Sequence, residues 1–255
     1  MTQEFLAGTI DHTLLKPDAD SHQFTQLFEE AIHYGFHSVC VNASRVEEAN
    51  KFFKDNHVKV CSVVGFPLGA STTSTKLKEM ESCIQDGAVE IDMVMNNGYF
   101  KDGNLDYVAN EIVQMVNSAS GNILKVIIET NLLNEDEIIQ ASKLVVDSGA
   151  KFVKTSTGFC GRGATPDLVQ LIRSAVRPET GIKASGGIKT LEQVEALIDA
   201  GANRIGTSSG VIIMKEFSQK RFKFVPNLND KFEKQNSNLL IHRFIPAKSG
   251  ICRPL

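Results

Sequence analysis

Short apolar runs recur along this chain, separated by stretches with a helical period. The β-like runs lie at residues 9–14, 38–42, 58–65, 90–95, 124–130, 152–156, 182–185 and 204–207. Their starts are about 20–35 residues apart, room for a strand, a helix and two loops. Many carry Val and Ile at successive positions, as parallel strands covered by helices do. Between them, Phe24, Leu27, Phe28, Ala31 and Ile32 form one helical stripe, closed by Gly35. Leu77, Met80, Glu81 and Ile84 form another, closed by Gly87. Asn134 followed by Glu137 has the spacing of a capping box, with Ile138, Ala141, Leu144 and Val145 behind it and Gly149 at the end. Thr165-Pro166 opens a helix with proline at its first position. Thr190 opens the next, which runs to Gly201.

Asp86-Gly-Ala, Ser148-Gly-Ala and Ala200-Gly-Ala each stand just before a predicted strand, so one helix-stop signal is reused. Strands alternating with helices define the α/β class. Eight of them fit a (β/α)8 TIM barrel, which takes about 250 residues. A doubly wound open sheet is the competing arrangement. It would call for an N-terminal Gly-rich dinucleotide fingerprint, and Gly65-Phe-Pro-Leu-Gly69 is not one.

Composition sharpens the boundaries. The 255 residues are 42% hydrophobic and 22% charged, with 27 Lys/Arg against 30 Asp/Glu. These are globular values. No apolar run approaches the ~18 residues of a membrane span, and residues 1–8 carry Glu4 and no basic segment, so no secretory leader is expected. The five cysteines show no CxxC spacing, which fits a reducing, cytoplasmic setting. His33 and His37 are separated by the helix-ending Gly35, which argues against a metal pair. The net charge of −3 hides an asymmetry: residues 215–255 hold nine Lys/Arg, three acids, five Phe and one Gly. We therefore expect a barrel domain over 1–214 and a basic tail over 215–255. Nucleic-acid or membrane contact by the tail is one reading. A helix packed on the barrel, a disordered extension or an altered reading frame are the plainer ones, and no nucleic-acid partner is expected.

Reactive groups of a barrel sit at the C-terminal ends of its strands. Lys154 stands in Phe-Val-Lys-Thr-Ser-Thr-Gly and Lys183 in Gly-Ile-Lys-Ala-Ser-Gly-Gly, on successive predicted strands. Burial and a neighbouring cation both favour a neutral amine, the nucleophile for Schiff-base chemistry. The plainer reading of Lys154 is a lysine snorkelling from a strand end. Lys125 starts its strand, so it should lie at the opposite end and be structural. Asp92, mid-strand, and Asp11, on the first strand, must be paired or functional. Gly186-Gly187 and Gly206-Thr207-Ser208-Ser209-Gly210 follow strands seven and eight, where barrels frequently bind phosphate. Cys40, inside a strand, reads first as a small core residue.

Asp11-His-Thr-Leu-Leu-Lys-Pro17, Val63-Val-Gly-Phe-Pro-Leu-Gly69, Glu90-Ile-Asp-Met-Val94, Lys154-Thr-Ser-Thr-Gly158 and Lys183-Ala-Ser-Gly-Gly187 together resemble the deoxyribose-phosphate aldolase family. The likeness runs from about residue 8 to 214. It implies a class I aldolase that needs no cofactor and no metal, and that reversibly cleaves 2-deoxy-D-ribose 5-phosphate to D-glyceraldehyde 3-phosphate and acetaldehyde. By motif position, Lys154 would form the Schiff base, Lys183 would be the second lysine, and Asp92 would work with a water in proton transfer. Gly158, Gly186, Gly187, Gly206, Ser208 and Ser209 would line the phosphate site. Asp11, Thr13, Cys40 and Thr157 match positions around the substrate. The resemblance also implies a homo-oligomer, dimer or tetramer. Two departures stand out. Phe159 follows the Lys-Thr-Ser-Thr-Gly run where some members place a phosphate-touching lysine. The only tyrosines are Tyr34, Tyr99 and Tyr107, whereas some members end in a catalytic tyrosine. A transaldolase-like barrel and a barrel repurposed for binding are the competing functions.

Overall fold

The structure, a computed structural model, describes residues 1–224, of which 221–224 are described by their backbone alone. A compact unit spans Met1–Phe217. The order of the basic tail past residue 224 lies outside the described residues.

Eight parallel strands close into a barrel in sequence order, and the first pairs with the last. They are β1 (Ile10–Leu14), β2 (Ser38–Val41), β3 (Lys59–Val64), β4 (Glu90–Val94), β5 (Ile123–Ile127), β6 (Phe152–Lys154), β7 (Gly181–Ser185) and β8 (Arg204–Thr207). The helices are α1 (Gln3–Gly8), α2 (Ser21–Tyr34), α3 (Val46–Phe52), α4 (Thr73–Gln85), α5 (Asn97–Lys101), α6 (Leu105–Ser118), α7 (Glu135–Asp147), α8 (Pro166–Ala175), α9 (Leu191–Asp199) and α10 (Gly210–Phe224). The (β/α)8 expectation holds strand for strand. The predicted runs 124–130 and 152–156 overshoot furthest: β5 stops at Ile127, before a 3₁₀ turn at Thr130–Leu132, and β6 stops at Lys154. Among the helices, α1, α3, α5, α6 and α10 went unread, although α6 has a clear apolar stripe in Val108, Ile112 and Met115.

The stop signals have a common geometry. The Ala88 N–H reaches back to Cys83 O, Ala150 to Val145 O and Ala202 to Leu197 O. Gly87, Gly149 and Gly201, at positive φ, make the left-handed step that those bonds require. The Asn134–Glu137 and Thr190–Gln193 capping boxes form at the starts of α7 and α9.

Alternation divides each strand. Val39, Val60, Ile91, Met93, Val126, Val153, Ile182 and Ile205 face the helices and belong to the main apolar core. Each contributes roughly 1.5–3 kcal/mol by burial. The barrel interior is different. Cys40, Cys61 and Val63, with Leu15, form a small apolar cluster of their own on the β2–β3 side. Much of the remaining interior is ionic, where barrels ordinarily stack Val, Ile and Leu.

Candidate active site

Seven charged side chains meet inside the barrel: Asp11, Glu90, Asp92, Lys125, Lys154, Lys183 and Arg204, all buried. Register explains the meeting. Lys154 lies beside Lys183 across β6–β7, Asp92 beside Lys125 across β4–β5, and Lys183 beside Arg204 across β7–β8. Two acids spaced two residues apart on β4, Glu90 and Asp92, point to the same interior side.

Asp92 is the hub. Its Oδ2 accepts from Lys154 Nζ and from Lys183 Nζ, each at 2.7 Å. Its Oδ1 accepts from Lys125 Nζ at 2.9 Å and from Cys61 Sγ at 3.3 Å. Below it, Glu90 Oε2 takes Lys125 Nζ at 2.6 Å and Arg204 Nη1 at 2.9 Å, and Glu90 Oε1 meets His37 Nε2 at 2.9 Å. Asp11 Oδ1 accepts from Ser38 Oγ at 2.7 Å and Arg204 Nη1 at 2.8 Å. Lys183 Nζ lies 2.5 Å from Asp11 Oδ2, a close ion pair rather than an aligned hydrogen bond.

Burial alone would push each carboxyl up; the cations outweigh it. Lys183, Arg204 and Lys125 bring Asp11 down to about 2. Lys125, Lys154 and Lys183 hold Asp92 well below the usual carboxylate range. The His37 hydrogen bond, Lys125 and Arg204 lower Glu90. Burial likewise disfavours the charges of the cations, and again the pairs win. Asp11 and Asp92 hold Lys183 well above the ordinary lysine range, and Asp92 raises Lys125. The mutual lowering expected between two neighbouring lysines therefore does not apply to Lys183. Three carboxylates are thus matched by three locked cations, Lys125, Lys183 and Arg204. Lys154 is the fourth cation, and its one ion pair is to an Asp92 oxygen it shares with Lys183.

A cleft of about 210 Å³ opens above this network at the C-terminal end of the strands. Lys154, Thr13, Thr157, Gly158, Gly186, Gly187, Gly206 and Ser208 line it. Asp11, Asp92 and Lys183 lie fully buried beneath the floor, and Cys40 lies in the apolar cluster below it. Ser209 is absent from the lining and donates its N–H to Thr207 Oγ1 at 2.9 Å. Lys125 is not at the far end of the barrel; it sits mid-barrel and holds both acids of β4. Phe159 stands half exposed at the rim, its ring 5.2 Å from that of Phe66 in an edge-to-face lip.

Several residues escaped the sequence reading. Lys16 and Lys189 put two cations on the cleft wall. Lys16 stands in a motif already quoted, and Lys189 follows the Gly-Gly turn, so both signals were present. Arg204 reads as an ordinary strand-start cation. Gly163 also counts: a Cβ there would come within 2.3 Å of Gly186 O, so the β6 and β7 loops can touch only because it is glycine. Two buried donor clusters, Cys40–Cys61–Asp92 and Asp11–Cys61–Glu90, have the residue types of metal sites. Their carboxylates are already engaged by lysine and arginine, so an added cation would have to displace these partners.

Residues 5–220 match the sequence profile of the DeoC/LacD family of aldolases. The chain is 52% identical over 206 residues to deoxyribose-phosphate aldolase 1 of Staphylococcus aureus strain MRSA252, covering 81% of this chain and 94% of that protein. It is 51% identical over 209 residues to the deoxyribose-phosphate aldolase of Staphylococcus haemolyticus, covering 82% and 95%. Its structure resembles that of the tetrameric deoxyribose phosphate aldolase of Aeropyrum pernix, with a TM-score of 0.80, 34% identity and coverage of 85% and 92%. Barrel, motifs and relatives agree: the chain belongs to the DeoC/LacD family of aldolases, enzymes that are carbon–carbon lyases.

Proposed function

We propose that this aldolase reversibly cleaves 2-deoxy-D-ribose 5-phosphate through a Schiff base on Lys154, giving D-glyceraldehyde 3-phosphate and acetaldehyde. The observation that carries the reading is the charge pairing under the cleft. Lys125, Lys183 and Arg204 match Asp11, Glu90 and Asp92, and Lys154 alone of the four cations of this network both lines the cleft and lacks a carboxylate oxygen of its own.

The chemistry follows. The neutral Lys154 amine adds to the open-chain aldehyde carbon, and the carbinolamine takes up a proton on its hydroxyl and loses water to give a cationic imine. A base removes the proton of the C3 hydroxyl, the C2–C3 bond breaks, and its electron pair passes into the imine as a neutral enamine. D-Glyceraldehyde 3-phosphate departs. The enamine takes a proton at C2, and water releases acetaldehyde and the free amine. The imine is the electron sink, so the bond cleavage asks for no metal. Asp92 is held ionised, so it accepts and relays protons through a water rather than supplying one of its own. Lys183, held cationic, shares the Asp92 oxygen that Lys154 pairs with and keeps a fixed positive charge beside the reacting nitrogen.

The glycine-lined wall of Gly158, Gly186, Gly187, Gly206 and Ser208 would take the phosphate, with Lys189 and Lys16 supplying charge where Phe159 cannot. Thr13 and Thr157 would meet substrate hydroxyls. The reaction belongs to deoxyribonucleotide catabolism in the cytoplasm, in a homo-oligomer; the four cysteines among the described residues are all free thiols, which suits that compartment. No helix among the described residues is long and apolar enough to cross a membrane. The test is borohydride reduction in the presence of acetaldehyde, followed by peptide mapping. An adduct on Lys154 that disappears in Lys154→Ala is expected. An adduct only on Lys183 would overturn the assignment.

A further inference from the structure

Glu129 follows the end of β5 with φ 56° and ψ 70°, the left-handed region that a side-chain-bearing residue rarely adopts. Such strain persists where the surroundings over-determine it, and it collects at functional sites. Here Ile128 N–H bonds Lys154 O and Thr130 N–H bonds Thr155 O, so the strand-end backbone is stitched to the segment carrying Lys154 on both sides of Glu129. The Glu129 side chain is 2% exposed. Its Oε2 accepts the Thr157 N–H at 3.1 Å and the Thr157 hydroxyl at 2.5 Å, and its Oε1 has no hydrogen-bond partner in the protein.

A threonine hydroxyl has one hydrogen and two lone pairs. At Thr157 the hydrogen is committed to Glu129. One lone pair accepts the Phe159 N–H at 3.1 Å. A single lone pair remains on a residue that lines the cleft.

We propose that Glu129 is a positioning residue that fixes the Thr157 hydroxyl as a pure acceptor toward the cleft, so that the site selects aldehydes bearing a hydroxyl that can donate to it. This rests on the aldolase reading above, in which D-glyceraldehyde 3-phosphate forms and leaves beside Lys154. A free threonine hydroxyl could turn to donate or accept; a committed one favours a donor and leaves a carbonyl or ether oxygen without a match.

The experiment runs in the synthetic direction, with acetaldehyde as donor and two acceptors. One is D-glyceraldehyde 3-phosphate. The other is 3-phosphooxypropanal, which lacks only the hydroxyl beside the aldehyde. E129A and T157V should each lower kcat/KM for the hydroxylated acceptor by about tenfold, chiefly through KM, with the other acceptor little changed. The double variant should lose no more than T157V does, because both act through one hydroxyl. E129Q, whose amide oxygen still accepts both Thr157 donors, and T157S should retain the preference. Equal losses on both acceptors, additive losses in the double variant, or loss of preference in E129Q would overturn the proposal. E129Q and T157V keep the question open to test if E129A does not fold. Borohydride trapping of acetaldehyde separates the two readings. No adduct on Lys154 in the unaltered protein refutes the Schiff-base assignment; an adduct with equal acceptor losses refutes the role of Glu129 alone.

Discussion

Lys183 is wholly buried, 2.7 Å from Asp92 and 2.5 Å from Asp11. Lys183→Leu takes away the cation beside Lys154 and returns an undivided Asp92 oxygen to it. The rate profile should then shift to higher pH, and the maximum rate should fall by about two orders of magnitude, the range for losing one preorganised charge at the reacting centre. An unshifted profile would remove Lys183 from the mechanism. At this scale the sequence was informative wherever a charge stood in an apolar strand: Lys154, Lys183, Asp92 and Asp11 stood out for that reason. It was blind to Glu129, which falls inside the β-like run 124–130, because no local pattern marks the left-handed turn that follows Ile127. Lys125 was misplaced because its height depends on the stagger of β5 against β4, which pairs Asp92 with Lys125. No local pattern encodes that stagger.

At the scale of elements, the capping boxes and glycine stops were legible because they depend on residues three to six apart. Asn134→Ala should cost α7 its N-cap bond, 2.9 Å from the Glu137 N–H, and about 1 kcal/mol in a denaturant melt. Loop contacts work over longer range. Gly163 lies against Gly186, and Ala164 N–H bonds Ser185 O at 3.0 Å. Gly163→Ala must push the β7 loop away from its present path. We expect weaker inhibition by inorganic phosphate, several-fold or more, with acetaldehyde still trapped on Lys154. Unchanged phosphate inhibition would mean that the Gly186 loop does not form the anion site. Helix α3, only Val46–Phe52, and α5, only Asn97–Lys101, were missed because a single turn or two shows too little periodicity to read.

The whole molecule carries its ionic network at a thermodynamic cost, since burying charges is repaid only when every partner is present. Arg204 bridges Asp11 and Glu90 at the base of the barrel. Arg204→Leu should destabilise the fold by about 3 kcal/mol, since both carboxylates keep other partners but lose this one. The pH dependence follows from the shifts. Asp11, Glu90 and Asp92 sit below their unfolded values, so their stabilisation is complete above about pH 4–5 and is lost as pH falls through the folded values, about 2 for Asp11. Lys125 and Lys183 sit above theirs, so their share is complete below about pH 10 and is lost only at higher pH. Urea midpoints should therefore fall steeply between about pH 4 and 2, and Asp11→Asn should flatten part of that fall. The strand count, the α/β class, the helix ends and the family motifs were set by the sequence alone, because each depends on residue type and short spacing. Closure of β1 on β8, the seven-charge network, the pairing that leaves Lys154 without an oxygen of its own and the grip of Glu129 on Thr157 belong to the tertiary structure. Each joins strands far apart in the chain, and only the register of the closed barrel decides which side chains share a level inside it.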